Sequence, residues 1–176
     1  ESLKAFSDQD VIVVNTTASG YSFCSALSAA GRVIVCATRS AAERYDTIFT
    51  RYFLEALKDR AADRDKNRRI SILEAFWYAR AKVKKWYTDQ DRLPSEHPTL
   101  DDNGDGRFQT DPDPARNEGG LAQVAEVDTL AVFLPEAIAG GPAAEPLRKL
   151  TARVQTLERS IILLRNQKTE ISDEDY

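Results

Sequence analysis

One histidine, His97, and two cysteines, Cys24 and Cys36, are all that this chain of 176 residues holds of those two side chains. Two cysteines exclude a multi-bridge disulfide framework. Long apolar runs are missing as well: none approaches the roughly 18 residues of a membrane span. Neither sign of charge dominates, with 24 basic against 28 acidic residues and a net charge of −4, which argues against a general nucleic-acid footprint. Strands are scarce too. Two are evident, at 11–14 and 33–36, and a third is predicted at 129–134, against roughly five or six in a typical sheet. The chain begins at Glu1, without Met and almost at a buried strand. The expectation is therefore a cleavage product or an excised part of a larger domain, whose partner is the missing N-terminal segment. Any leader peptide would be lost with that part. The compartment stays open, an extracytoplasmic one being favoured over the cytoplasm.

What is present begins with residues 11–40. Val11-Ile12-Val13-Val14 and Val33-Ile34-Val35-Cys36 are short, β-branched apolar runs, the pattern of strands buried on both faces of a parallel sheet. Between them, Phe23, Ala26, Leu27 and Ala30 recur at helical spacing, and Gly31 is placed to end that helix. The stretch predicts strand, crossover helix and parallel strand, with a right-handed crossover. In such sheets functional groups gather beyond the carboxyl ends of the strands, here residues 15–20 and 37–40. Further on, residues 41–60 carry Tyr45, Ile48, Phe49, Tyr52, Phe53, Ala56 and Leu57 on one face of a predicted amphipathic helix. A second such helix, from Ser71 to about Thr88, turns Ile72, Leu73, Phe76, Trp77, Val83, Trp86 and Tyr87 to one side. Their aromatics read as core packing, not as a nucleic-acid face.

The order of these pieces resembles the caspase and legumain-like cysteine peptidases, and bacterial members in particular. The likeness rests on the Ser19-Gly20 loop after an apolar strand, Ala37-Thr38-Arg39-Ser40 after the next, Glu43-Arg44, the aromatic helix, the Asp-rich loop from Asp63 and the Asp101-Asp-Asn-Gly-Asp-Gly106 segment. It implies a caspase-like α/β three-layer sandwich with a mostly parallel sheet over 1–134, present in part, then a linker at 135–146 and a coiled-coil-like helix at 147–171. Laid on the family pattern, Thr17 stands where the nucleophilic Cys should be. A Thr hydroxyl needs a dedicated base, whereas a thiolate is partly populated at neutral pH. The family's His lies upstream, outside this chain, and His97 lies downstream. Cys24, within the helix, is an alternative thiol, and Thr17 or Ser19 an alternative oxygen nucleophile. Thr38, Arg39 and Ser40 stand where the family shapes its substrate pocket.

The most specific chemical pattern is Asp63, Asp65, Asn67, Arg69, Ser71 and Glu74, at positions 1, 3, 5, 7, 9 and 12 of a calcium loop of the EF-hand type. Calcium takes six to eight hard oxygens. This spacing offers three side-chain oxygens, the Arg69 carbonyl, a polar or water-mediated ligand and a bidentate carboxylate. Ile70 supplies the apolar anchor at position 8. Arg68 departs from the pattern at position 6, where glycine makes a turn at positive φ. Ser71 and Glu74 also form a capping box. A weaker loop follows at Asp101, Asn103 and Asp105, with Gly106 well placed, Pro112 where position 12 needs an acid, and His97 as a further ligand. Without a metal it reads as a turn held by Asx hydrogen bonds, and residues 110–120 as a mobile loop.

After the Ala, Gly and Pro linker, Leu147, Leu150, Val154, Leu157, Ile161, Leu164 and Ile171 keep a 3-4 spacing broken only by Lys168 at an a position. This stripe can join two copies, with Arg153 and Glu158 pairing across a parallel dimer, dock on the chain's own domain, or form a hairpin with missing downstream sequence. Two functions remain. One is a calcium-binding, peptide- or protein-interacting module that has lost peptidase chemistry. The other is a cysteine endopeptidase whose catalytic residues lie partly on a missing segment.

Overall fold

The computed structural model describes residues 11–127 together with individual positions between 145 and 164. It is a mixed α/β structure. Strand β1 (Val11–Asn15) leads through helix α1 (Tyr21–Leu27) to β2 (Arg32–Cys36), and the two strands pair in parallel with Val13 opposite Ile34. The codirectional pair predicted from the two apolar runs is present. A third strand, β4 (Thr99–Asp101), joins the other side of β2 antiparallel, so the sheet order is β1-β2-β4 and the sheet is mixed. The predicted strand at 129–134 lies outside the described residues, as do residues 135–144 of the predicted linker at 135–146, whose last two residues are helical.

β2 is buried on both faces, with Val33 to Cys36 fully covered, which explains its unbroken apolar run. Val33 and Val35 face the main core, while Ile34 and Cys36 face α1 with Cys24, Val13 and Phe108 around them. β1 differs from expectation. It is paired on one side only among the described residues, and Ile12 is 38% exposed. α1 is also turned from its predicted face. Phe23 points to solvent at 58% exposure, and Cys24 is the residue that is fully buried. A seven-residue helix at a sheet margin buries one narrow stripe, and here Tyr21, Cys24 and Leu27 form it. The helix stops at Leu27 with Ser28 as its C-cap, so Gly31, at φ +77, shapes the turn into β2 and does not end the helix as expected.

Helix α2 (Phe49–Ala56) is shorter than the predicted 41–60, and Tyr45 lies in the preceding loop, exposed. Its inner face packs on α3 (Ile72–Asp89). The Phe49 ring centroid lies 5.5 Å from that of Phe53 and 6.2 Å from that of Phe76. The capping box that opens α3 is complete: the Glu74 amide donates to Ser71 Oγ at 3.2 Å, and the Ser71 amide donates to Glu74 Oε2 at 3.0 Å. Strand β3 (Ile70–Ser71) pairs antiparallel with β5 (Glu126–Val127), which follows the short α4 (Gly120–Val124). Described positions between 145 and 164 are helical and leave Leu150, Val154, Leu157, Ile161 and Leu164 exposed. Leu147 and Ile171 lie outside the described residues. No helix among the described residues is long and apolar enough to cross a membrane.

Candidate functional site

Two acidic loops fold alike. In the first, Asp63 Oδ1 accepts the Asn67 amide at 3.1 Å and Oδ2 the Arg68 amide at 2.9 Å. Asp65 Oδ1 accepts the Asn67 amide at 3.0 Å, and Asn67 Oδ1 the Arg69 amide at 2.7 Å. Numbering Asp101 as position 1, the second loop repeats the scheme. Gly106 donates to Asp101 at 3.1 Å, Asp105 to Asn103 at 2.8 Å and Arg107 to Asp105 at 2.7 Å. Positions 4 and 6 take positive φ in both loops: Lys66 at +60 and Arg68 at +68 in one, Gly104 at +78 and Gly106 at +75 in the other. Arg68 thus holds the left-handed conformation for which glycine was expected. Gly104 is constrained from outside as well, since a Cβ there would lie 2.3 Å from the Ala30 nitrogen.

These turns gather carboxylates. Asp63, Asp65 and Glu74 each place one oxygen within 4.8 Å of the others. Glu74 Oε1 accepts the Arg64 and Asp65 amides at 2.8 and 3.3 Å, which draws position 12 back over the head of the loop. Burial, then Glu74 and Asp63 close by, raise the Asp65 carboxyl above its ordinary value. In the second loop Asp101 and Asp105 meet Glu118, again within 4.8 Å. Glu118 takes the place that Pro112 cannot fill. It was not expected, because it lies outside the twelve-residue window and nothing in local spacing marks it. It is buried and accepts the Asp102 amide at 2.7 Å, while burial, with Asp102 and Asp101 beside it, pushes its carboxyl up to about 8. Asp102 in turn accepts the Gly119 and Ala122 amides at 2.7 and 2.8 Å, tying the loop to α4. Residues 110–120, expected as a mobile loop, are therefore anchored at Glu118 and Gly119. His97, expected as a further ligand here, instead sets Nδ1 2.6 Å from Glu43 Oε1.

The side chain of Arg69 is buried and pairs with Glu126 at 2.6 Å, with Glu158 also in contact. Asn67 Nδ2 reaches Glu126 at 3.4 Å. The β3–β5 pair thus fastens the first loop from behind, as the apolar anchor Ile70 opposite Val127 does from within.

At the carboxyl ends of β1 and β2 the expected residues are held by their neighbours. Thr17 donates its amide and hydroxyl to Asn15 Oδ1 at 2.9 and 2.7 Å. Ser19 sits at φ +55, and its amide donates to the Glu43 carbonyl at 2.7 Å. Cys24 lies under the helix, and the hydrogen-bonded Cys36 sulfur together with burial pushes its thiol up, away from the thiolate. Thr38 is fully buried, with its carbonyl taken by the Thr99 hydroxyl, so it lines no open pocket. Arg39 is exposed and pairs with Glu43 at 3.3 Å. Glu43, noted in the sequence only as part of the Glu43-Arg44 pair, is the hub. Its carboxylate also accepts the Arg39 and His97 amides at 3.0 and 3.1 Å and so draws three segments together. Compared with protein-family models, curated proteins and solved structures, the chain matches none.

Proposed function

We propose that this chain is a calcium-binding, caspase-like α/β module that engages a peptide or protein partner without peptidase chemistry. One observation carries the calcium reading: positions 1, 3 and 12 of the first loop converge to within 4.8 Å on a backbone with the same turns as its glycine-bearing counterpart. The donor set is all oxygen, the preference of a hard cation, and the three carboxylates crowded in each cluster favour a cation among them. Asp63, Asp65, Asn67, the Arg69 carbonyl, Ser71 and Glu74 would hold the first ion. Asp101, Asn103, Asp105 and Glu118 would hold a second. Bound calcium would fix the loops and the start of α3, and so stabilise the face they present.

The parallel β1–β2 pair with its crossover helix supports the caspase-like part of the reading. Its loss of chemistry is supported by a Thr hydroxyl at the nucleophile position, a buried and protonated Cys24, and a histidine engaged by Glu43. Calorimetric titration with calcium should show two events. Glu74→Gln should abolish one of them and Glu118→Gln the other. Heats that both variants leave untouched would reject the assignment. A thiol-directed peptide probe should leave the protein unlabelled, and labelling that Cys24→Ala removes would restore the peptidase reading.

A further inference from the structure

Beside the first acidic loop lies a groove of about 860 Å³, with α3 as its floor. Arg64, at position 2 of the first loop, forms one wall, and residues 109–113 close the other side, with Arg116 beyond them. Such a volume falls in the range of ligand sites, roughly 300–1,000 Å³. Trp77 and Arg80 rise from the floor. The Arg64 guanidinium lies over the Trp77 ring, 4.5 Å from its centroid, and has no carboxylate partner among the described residues. Trp77 Nε1 donates to the Pro112 carbonyl at 3.3 Å, which fixes the ring against the opposite wall. Arg80 pairs with Asp111 at 2.6 Å and Arg116 with Asp113 at 3.4 Å, and both pairs are at least partly exposed.

We infer that this groove receives a peptide segment bearing Asp or Glu side chains, with Arg64 and Arg80 as the carboxylate clamps. Three guanidinium groups and two carboxylates line it, a local reversal of sign in a chain of net charge −4. A guanidinium presents a planar fork that matches a carboxylate with two parallel hydrogen bonds, and stacking on an indole pre-orients the fork of Arg64. Exposed ion pairs contribute little, so an incoming carboxylate can replace Asp111 on Arg80 without large loss. Asp111 and Asp113 at the margin repel a dense polyanion, which favours isolated peptide carboxylates over nucleic acid. Gln109 and Thr110 add hydrogen-bonding groups suited to a peptide backbone. This deepens the reading of an interaction module by naming its partner's chemistry, and it rests on that part alone, not on calcium.

The test is fluorescence anisotropy with a fluorescein-labelled octapeptide of alternating Asp and Ser, beside a control with Asn for Asp, in calcium and in chelator. The acidic peptide should bind saturably and the control should not. Arg64→Glu and Arg80→Glu should each weaken binding by about tenfold or more, the scale of one charge-assisted hydrogen bond lost and a repulsion gained. Arg64→Lys should lose part of it, since the fork is gone and the charge kept. Arg64 is exposed, so these variants leave the core intact, and circular dichroism checks that they do. Equal binding of both peptides, preference for a single-stranded oligonucleotide, or indifference to both reversals would overturn the proposal. If the peptide fails to bind while calcium titrates normally, the groove falls and the calcium reading stands. If calcium fails while the peptide binds, the reverse holds.

Discussion

Arg68 is the residue at which the first acidic loop departs from the calcium-loop pattern and still keeps its shape. A side chain at φ +68 carries a conformational cost of roughly 1 kcal/mol or more, and glycine would avoid it. Glycine would also loosen the unfolded chain by a similar amount, so Arg68→Gly should leave the calcium-free melting temperature within a few degrees of the parent. The effect should appear in binding. Removing a positive charge beside a cation site should tighten calcium several-fold at low ionic strength, less so as salt screens the interaction. Arg68→Ala, which removes the charge but keeps the strain, should tighten calcium equally and, without calcium, also melt within a few degrees of the parent. Calorimetry of the two variants reads both effects, and unchanged affinity in both would mean that the loop does not hold the ion. Most of this loop is legible in the sequence because its ligands stand at fixed offsets in one contiguous segment. Glu118 is not, since its approach to Asp101 depends on a turn through residues 113–119.

Between elements, the central fastening is Glu96. Its carboxylate accepts the Ile48 and Phe49 amides at 2.9 and 3.1 Å at the start of α2, and the Tyr87 hydroxyl near the end of α3 at 3.2 Å. Glu96→Ala strips three donors of their acceptor in a buried place and should cost roughly 3 kcal/mol, or about 6–12 °C in melting temperature. Burial holds this carboxyl above the ordinary glutamate range. Its folded value therefore exceeds its unfolded value, and the folded state keeps the proton longer. The group's contribution is fully present below the unfolded value and is lost as pH rises through the folded one. Melting curves of the parent and of Glu96→Gln should diverge in that window, the parent losing stability relative to the variant as pH rises. A parallel pair of curves would contradict the sign. Periodicity located α3 almost to the residue, because eighteen residues give several turns of consistent pattern. It misjudged α1, where seven residues give fewer than two turns and the sheet margin decides which stripe is covered. It also stretched α2 through Tyr45, because nothing local records that Glu96 caps that helix at Ile48 from a distant segment.

At the scale of the molecule, the parallel β1–β2 pair was legible from two β-branched runs, and the antiparallel β4 was not. Thr99-Leu100-Asp101 is three residues long and merges with the second acidic loop, so no alternation marks it as a strand. The helical positions after 145 present Leu150, Val154, Leu157, Ile161 and Leu164 at 46–64% exposure, a stripe of the kind that two copies bury together. Light scattering should give a dimer mass for the full chain and a monomer mass once residues 147–176 are removed; equal monomer masses would reject the helix as a seam. Removal of that helix also takes Glu158 away from Arg69 of the first loop, so the calcium reading is judged on the full chain. The deciding measurement is the melting temperature of the chain in chelator and in millimolar calcium, beside Glu74→Gln. Ligand that binds the folded state alone stabilises it by about 2.7 kcal/mol at a hundred times its dissociation constant. The parent should therefore melt several degrees higher in calcium and the variant markedly less so, whereas a parent curve that calcium does not move would contradict the account.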